Sequence, residues 1–415
     1  MKSKKSGAKK EYRPSQEILE KYADVLVNFA LGSGKGIKKG EVVRITSLEC
    51  AKPFFVELRK AVWKAGGHVI PDYHPNNDDL HPNIERDFYV HAKKHQIEHF
   101  PYHHAKGLIK QIDHSIFILA ETDMKSLAGV DPKLIMQRGE AMKPAYEWRN
   151  EKENAGKFTW TIAMYGTPAM AKEAGMSLEA YWQQIIHACF LDKKDPIAVW
   201  KDVYKRLESY RRKFNALHIE KVHIEGPDAD LWVKLGAKRR WMGGSGRNIP
   251  SFELFTSPDW RGTEGWIRLN QPLYRYSNLI EGIKLVFKDG KVIESSARTN
   301  EKFLKSMIAA PNADKIGEFS LTDKRFSRIT RFMAETLFDE NVGGPHGNTH
   351  IALGNSYHDC YEGDPSKVTK KQWAKMGYNN SSVHTDVIST APRTVTAYFK
   401  DGSKKVIYKN GMYQV

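Results

Sequence analysis

The two halves of this chain are patterned differently, and that change limits most what it can fold into. From residue 15 to about 217, helical and strand-like patterns alternate. Apolar residues at helical spacing in "PSQEILEKYADVLVNFAL", with Ser15 placed to cap, precede the strand-like "GEVVRITS". The helical "AKPFFVELRKAVWKAG" and the strand "GHVIPDY" follow. The spacing then predicts a helix over 78–99, a strand at "HSIFILAE", a helix over 133–153 and a strand at "KFTWTIAMY". Two more helices are expected in "SLEAYWQQIIHACF" and "DPIAVWKDVYKRLESYRRKFNAL". Such alternation specifies βαβ units, hence a Rossmann-like α/β fold with a mostly parallel sheet.

From about residue 218 the helices thin out. "KVHIEG", "ADLWVKLG", "GWIRLN" and "EGIKLVFKDGKVIESSA" read as short strands, the last folded at the hairpin signal Asp289-Gly290. One helix is expected in "DKRFSRITRFMAETLF", after which strand patterns return at "THIALG", "SVHTDVIS" and "TVTAYFKDG". A chain of 415 residues exceeds one ordinary domain. The expected organisation is a basic tail over 1–14, an α/β domain over 15–217 and a β-rich domain over 218–415.

No apolar run approaches the roughly 18 residues that a membrane span needs. The start, "MKSKKSGAKKEYRP", has no apolar stretch behind its charges, unlike a secretory signal. Cys50, Cys189 and Cys360 show no C-x-x-C pairing, which fits a reducing cytoplasm. The net charge of +16 attracts nucleic acid or anionic ligands in principle. Five lysines crowd the first ten residues without interleaved aromatics, the pattern of a solvated tail.

The densest chemical signal is "HAKKHQIEHFPYHH", residues 91–104, with five of the sixteen histidines. His91, His95 and His99 would share one face of a helix. The glutamate of a zinc-peptidase helix is missing, however, and Lys93 and Lys94 add positive charge beside any bound cation. The stretch reads as a polar helix and exit turn. "GSGKG" (32–36) lacks phosphate-loop spacing and reads as a helix stop, and "GGSGRN" (243–248) reads as a turn.

The second half holds a sparser but more varied set. His384 and Asp386 are an i, i+2 pair on an expected strand, so both project from one face. His350 lies near the start of another strand, with Tyr357 seven residues on. Glu253 in "SFELF" and Glu318 in "KIGEFS" sit between apolar neighbours, and Glu340 in "LFDEN" ends a helix. Burying a carboxylate costs several kcal/mol unless a partner or metal neutralises it. Three glutamates, two histidines and an aspartate form a mixed O/N set that suits divalent ions, two being needed to use every ligand.

Motifs across the chain resemble a known family. "HIEGPDADLWVKLG", "RNIPSFELFTSP", "GWIRLN", "ETLFDEN", "NTHIALGNSY" and "SVHTDVIS", together with "LEKYADVLVNFAL", "TPAMAKEAGMSLEAYW" and "ACFLDKKDP", are similar to the aminopeptidase T / aminopeptidase S family of dinuclear metallopeptidases. The resemblance covers nearly all of the chain after about residue 15. It implies that 218–415 is the catalytic, metal-binding domain. Its implied metal set is Glu253, Glu318, His350, His384 and Asp386, with Glu340 a sixth candidate and Tyr357 the catalytic tyrosine. It also implies two divalent ions (Zn, Co, Mn or Mg), short peptide substrates and a homodimer; among the carboxylates, Glu318 is taken as the proton acceptor. "VGGPHG" (342–347) lengthens the stretch between Glu340 and His350, and Thr385 replaces a bulkier residue of some relatives. Two rivals remain. One is a metal hydrolase of another amide or ester. The other is a non-enzymatic nucleic-acid binder using the basic tail, although no specific nucleic-acid motif is present.

Overall fold

The computed structural model describes residues 11–415, so the first ten residues of the expected basic tail lie outside it. In the first half β1 (Val42–Leu48), β2 (His68–His74), β3 (His114–Leu119) and β4 (Thr159–Met164) form one sheet in the order β2-β1-β3-β4. Every pairing is parallel, as crossover helices such as Lys52–Lys64 and Pro132–Asn154 require. Ser15 caps the first helix by accepting from the Ile18 N–H at 3.3 Å. The expected stop at "GSGKG" is built from left-handed residues, with φ of 63° at Gly32 and 87° at Gly34.

The second half is antiparallel. Its strands are β5 (Lys221–Gly226), β6 (Ala229–Lys234), β7 (Glu253–Thr256), β8 (Glu264–Arg268), β9 (Leu273–Arg275), β10 (Asn278–Ile280), β11 (Lys284–Lys288), β12 (Lys291–Ser296), β13 (Ile316–Thr322), β14 (Asn348–Gly354), β15 (His384–Ser389), β16 (Thr394–Tyr398), β17 (Lys404–Lys409) and β18 (Met412–Tyr413). Eight of them make a sheet ordered β12-β11-β8-β6-β5-β16-β17-β18, and four make a second, ordered β15-β14-β13-β7. The β11–β12 turn has positive φ at both Asp289 and Gly290, as a tight hairpin demands. All seven residues of β13 and of β14 are buried, so the smaller sheet lies inside the molecule. One apolar cluster runs from Leu19 to Tyr413 and joins both halves. Among the described residues no helix is long and apolar enough to cross a membrane.

Two expected helices are corrected. The 78–99 helix is broken: Ile84–His91 ends at extended Ala92, and a single turn, Lys94–Ile97, follows. Ile84–His91 buries no residue, so no packing holds a longer helix together. His91, His95 and His99 therefore do not share one helical face. The helix expected in "DKRFSRITRFMAETLF" is replaced by loop, with only the turn Thr336–Asp339 at its end. Side chains take the N–H groups a helix would use. Asp323 accepts from Arg325 N, Ser327 Oγ from Ile329 N, Gln184 from Thr330 N, and Asp339 from both Met333 N and Glu335 N.

Candidate metal centre

Strand register brings the candidate ligands together. β13 and β14 are central, flanked by β7 and β15. Glu318 pairs with Ala352, and Ala352 pairs with Asp386, so one row runs Glu318–Ala352–Asp386 across three strands. Ala352 is small, which leaves open space between the two carboxylates. His350 lies two residues before Ala352 on the same face of β14, and His384 two before Asp386 on β15. A register shift between Ile316 and Glu318 sets the row. Gly317 sits in that shift with no room for a side chain, because a Cβ there would lie 2.2 Å from the Asn355 carbonyl oxygen.

Glu318 reaches both histidines. One carboxylate oxygen lies 3.4 Å from His350 Nε2 and the other 3.4 Å from His384 Nε2. His350 Nε2 is also 3.2 Å from Glu253, and His384 Nε2 is 3.5 Å from Asp386. The His384 Nδ1–H donates to the Asn355 carbonyl at 2.8 Å, which turns Nε2 toward the acids. Ser320 Oγ donates to Glu253, and Glu340 accepts from the Asn248 and Asn341 side-chain amides at 2.9 and 3.3 Å. Three overlapping triples have ligand atoms within 4.8 Å of one another: Glu253, Glu318 and His350; Glu318, His384 and Asp386; Glu340, His350 and Asp386. All six residues expected from the sequence are thus gathered in one place.

The electrostatics match a buried, acid-rich cluster. Burial pushes Glu253 up to about 7, against the opposing pull of His350. Burial and the neighbouring acids hold Glu340 well above the carboxylate range. Burial acts to lower His350, but Glu253 and Glu318 lift it to about 9. Burial likewise opposes ionisation of Asp386, yet His384 brings it down to about 2. Four carboxylates and two imidazoles converging in a buried site form the mixed donor set that a divalent cation satisfies. Tyr357 lies over the cluster, its ring 4.7 Å from that of His384. Burial beside Glu318 and Asp386 pushes its hydroxyl well above the usual phenol value.

The cluster opens into a small cavity of about 50 Å³ whose walls include residues not foreseen from sequence: Trp160, Gly244, Ser245, Arg247 and Asn248. Arg247 lies between two rings, 5.4 Å from each of Trp160 and Tyr357. Its guanidinium pairs with Glu153 at 2.6 Å and Asp359 at 2.7 Å. The segment "GGSGRN" is more than a turn. The Ile162 N–H donates to the Arg247 carbonyl at 2.7 Å, and the Ile249 N–H donates to the Ile162 carbonyl at 3.0 Å, so the loop extends the edge of β4. The Tyr204 hydroxyl accepts from the Gly246 N–H. Gly246 has φ of 80°, and a Cβ there would fall 2.1 Å from the Ala30 carbonyl oxygen. In the sequence the only sign of this was the density of glycines, which does not separate the loop from an ordinary turn.

The histidine-rich stretch is not part of this centre. Among the described residues its histidines belong to none of the possible ligand groups.

The family model described as thermophilic metalloprotease (M29) matches residues 15–413. Aminopeptidase PepS of Streptococcus thermophilus is 28% identical over 421 residues, covering 95% of this chain and 98% of that protein. Aminopeptidase T of Thermus thermophilus is 27% identical over 420 residues, covering 96% and 100%. The solved structure of wild-type AmpT from Thermus thermophilus has a TM-score of 0.78 at 24% identity, covering 96% of this chain and 100% of that one, and so shares the fold. The chain belongs to the thermophilic metalloprotease (M29) family and is a peptidase.

Proposed function

We propose that this peptidase is an aminopeptidase that removes single residues from the N-termini of short peptides with two divalent metal ions. The observation that carries the reading is the overlap of the triples: Glu318 belongs to two of them, and so do His350 and Asp386. A cluster with shared members fits two adjacent ions better than one. Glu253, Glu318, Glu340, His350, His384 and Asp386 would hold them. When bound, such ions polarise a scissile carbonyl and lower the pKa of water toward neutrality.

The chain's own groups supply the rest. Glu318, lying between the two histidines, takes the proton of the attacking water and passes it to the leaving amine. Tyr357, a phenol that keeps its proton at neutral pH, donates to the developing oxyanion. Residues 218–415 carry the chemistry and 15–217 carry the frame, with Trp160 lining the site and Glu153 holding Arg247. A cytoplasmic homodimer belongs to the same reading. It is supported by the family resemblance and by three cysteines that form no disulfide.

The test pairs metal content by elemental analysis with a panel of chromogenic aminoacyl substrates, N-acetylated peptides and simple esters. Two metal equivalents with release of free amino acids only from unblocked termini are expected. Turnover of blocked amides or esters alone would move the protein to the rival class of metal hydrolase.

A further inference from the structure

The loop edge of the cavity holds a hydrogen-bonding group that the proposed chemistry has not used. Asn248 lies on the segment fastened to β4 and lines the cavity beside the acidic cluster. Its side-chain nitrogen donates to Glu340 Oε1 at 2.9 Å. Asn341 donates to the same oxygen at 3.3 Å, which marks that oxygen as an acceptor and fixes the orientation of the Asn248 amide. The Asn248 Oδ1 is then left buried without a hydrogen-bond partner. A buried acceptor is costly to leave unpaired, so a ligand that brings an N–H to this place is favoured.

We infer that Asn248 Oδ1 receives an N–H of the substrate's free α-amino group. This rests on the aminopeptidase reading above and names the residue that recognises the chain end. The surroundings select the donor. The group must bring an N–H, because Oδ1 only accepts, and a free amine offers two or three where a peptide nitrogen inside a chain offers one. Arg247, the neighbouring cation, is already paired with Glu153 and Asp359, so it does not serve as the donor to Oδ1. Asn248 is therefore a binding residue, held in place by Glu340 on one side and by β4 on the other.

The experiment uses full-length, metal-loaded protein. Calorimetry compares the amino acid released fastest in the substrate panel with its des-amino analogue (for leucine, 4-methylpentanoate). Asn248→Ala should weaken the amino acid about tenfold or more and leave the analogue within about twofold. Metal content should match wild type, and the kinetic loss should fall mainly on KM. Asn248→Asp keeps an acceptor in the same place and should keep the preference for the amine, so it decides the matter if the alanine protein does not fold. Equal weakening of both ligands, an unchanged preference in the alanine protein, or a lost preference in a metal-replete aspartate protein would overturn the assignment. Wild-type protein that releases no amino acid from any peptide would instead sink the aminopeptidase reading and this inference with it.

Discussion

Arg247 and Glu153 form a 2.6 Å ion pair across 94 residues of sequence. It ties the Pro132–Asn154 helix to the wall of the metal centre. Asp359 closes the other side of the guanidinium at 2.7 Å. Arg247→Met would leave the partly buried Glu153 and Asp359 without their shared cation, a loss of about 1–3 kcal/mol. Urea unfolding should show it directly, and Glu153→Gln should cost clearly less. A methionine protein as stable as wild type would mean that the pair bears no weight.

Metal removal should destabilise as well as inactivate. Four carboxylates and two imidazoles share the cluster, and a ligand bound only by the folded state adds about 2.7 kcal/mol when free at a hundred times its Kd. Chelator should therefore lower the melting temperature by several degrees and abolish turnover, with both restored by a divalent ion. Unchanged melting after verified metal loss would count against the six-residue site.

Among single substitutions, Glu318→Gln should lower kcat by about 10²–10⁴-fold, the range for a lost proton acceptor. His350→Ala should lose metal together with activity. Tyr357→Phe should lower kcat by about 10²–10³-fold with little change in KM, as expected for a donor used only in the transition state. Steady-state kinetics on one aminoacyl substrate checks all three, and near-wild-type turnover in the Glu318 protein would refute its assignment.

Away from the centre, Glu121 and Glu335 interact across the two halves, and burial pushes each up to about 7. A carboxyl with a folded pKa above its unfolded value stabilises the fold while protonated. That contribution is complete below about pH 4.3 and is lost as pH rises through 7, at most about 3 kcal/mol per group. Melting temperature should fall between pH 5 and 8, and Glu121→Gln with Glu335→Gln should flatten the fall. Parallel profiles for variant and wild type would rule the pair out.

How much of this was visible in the sequence depended on whether local chemistry decided the outcome. Glu318 and the His384–Asp386 pair could be read because charged residues among apolar strand neighbours need a partner, and strand periodicity says which way they face. The helix expected over 323–338 could not be excluded, since its apolar spacing is helical. Asp323, Ser327 and Asp339 defeat it by bonding backbone N–H groups, which depends on where those side chains settle. Trp160, Arg247 and Asn248 were invisible for another reason. They reach the site only through the pairing of a loop with β4, a contact between distant segments with no local pattern.

That pairing bears on how this enzyme could be divided. Every candidate ligand lies after residue 218, so a truncated protein beginning there would look complete on an alignment of motifs. It would nevertheless lack Trp160, Glu153 and the Ile162 backbone that pins the Arg247–Ile249 segment. The α/β half is thus one jaw of the site rather than a separable appendage. Swapping it between relatives should change which peptides are accepted, even with the metal-binding residues untouched.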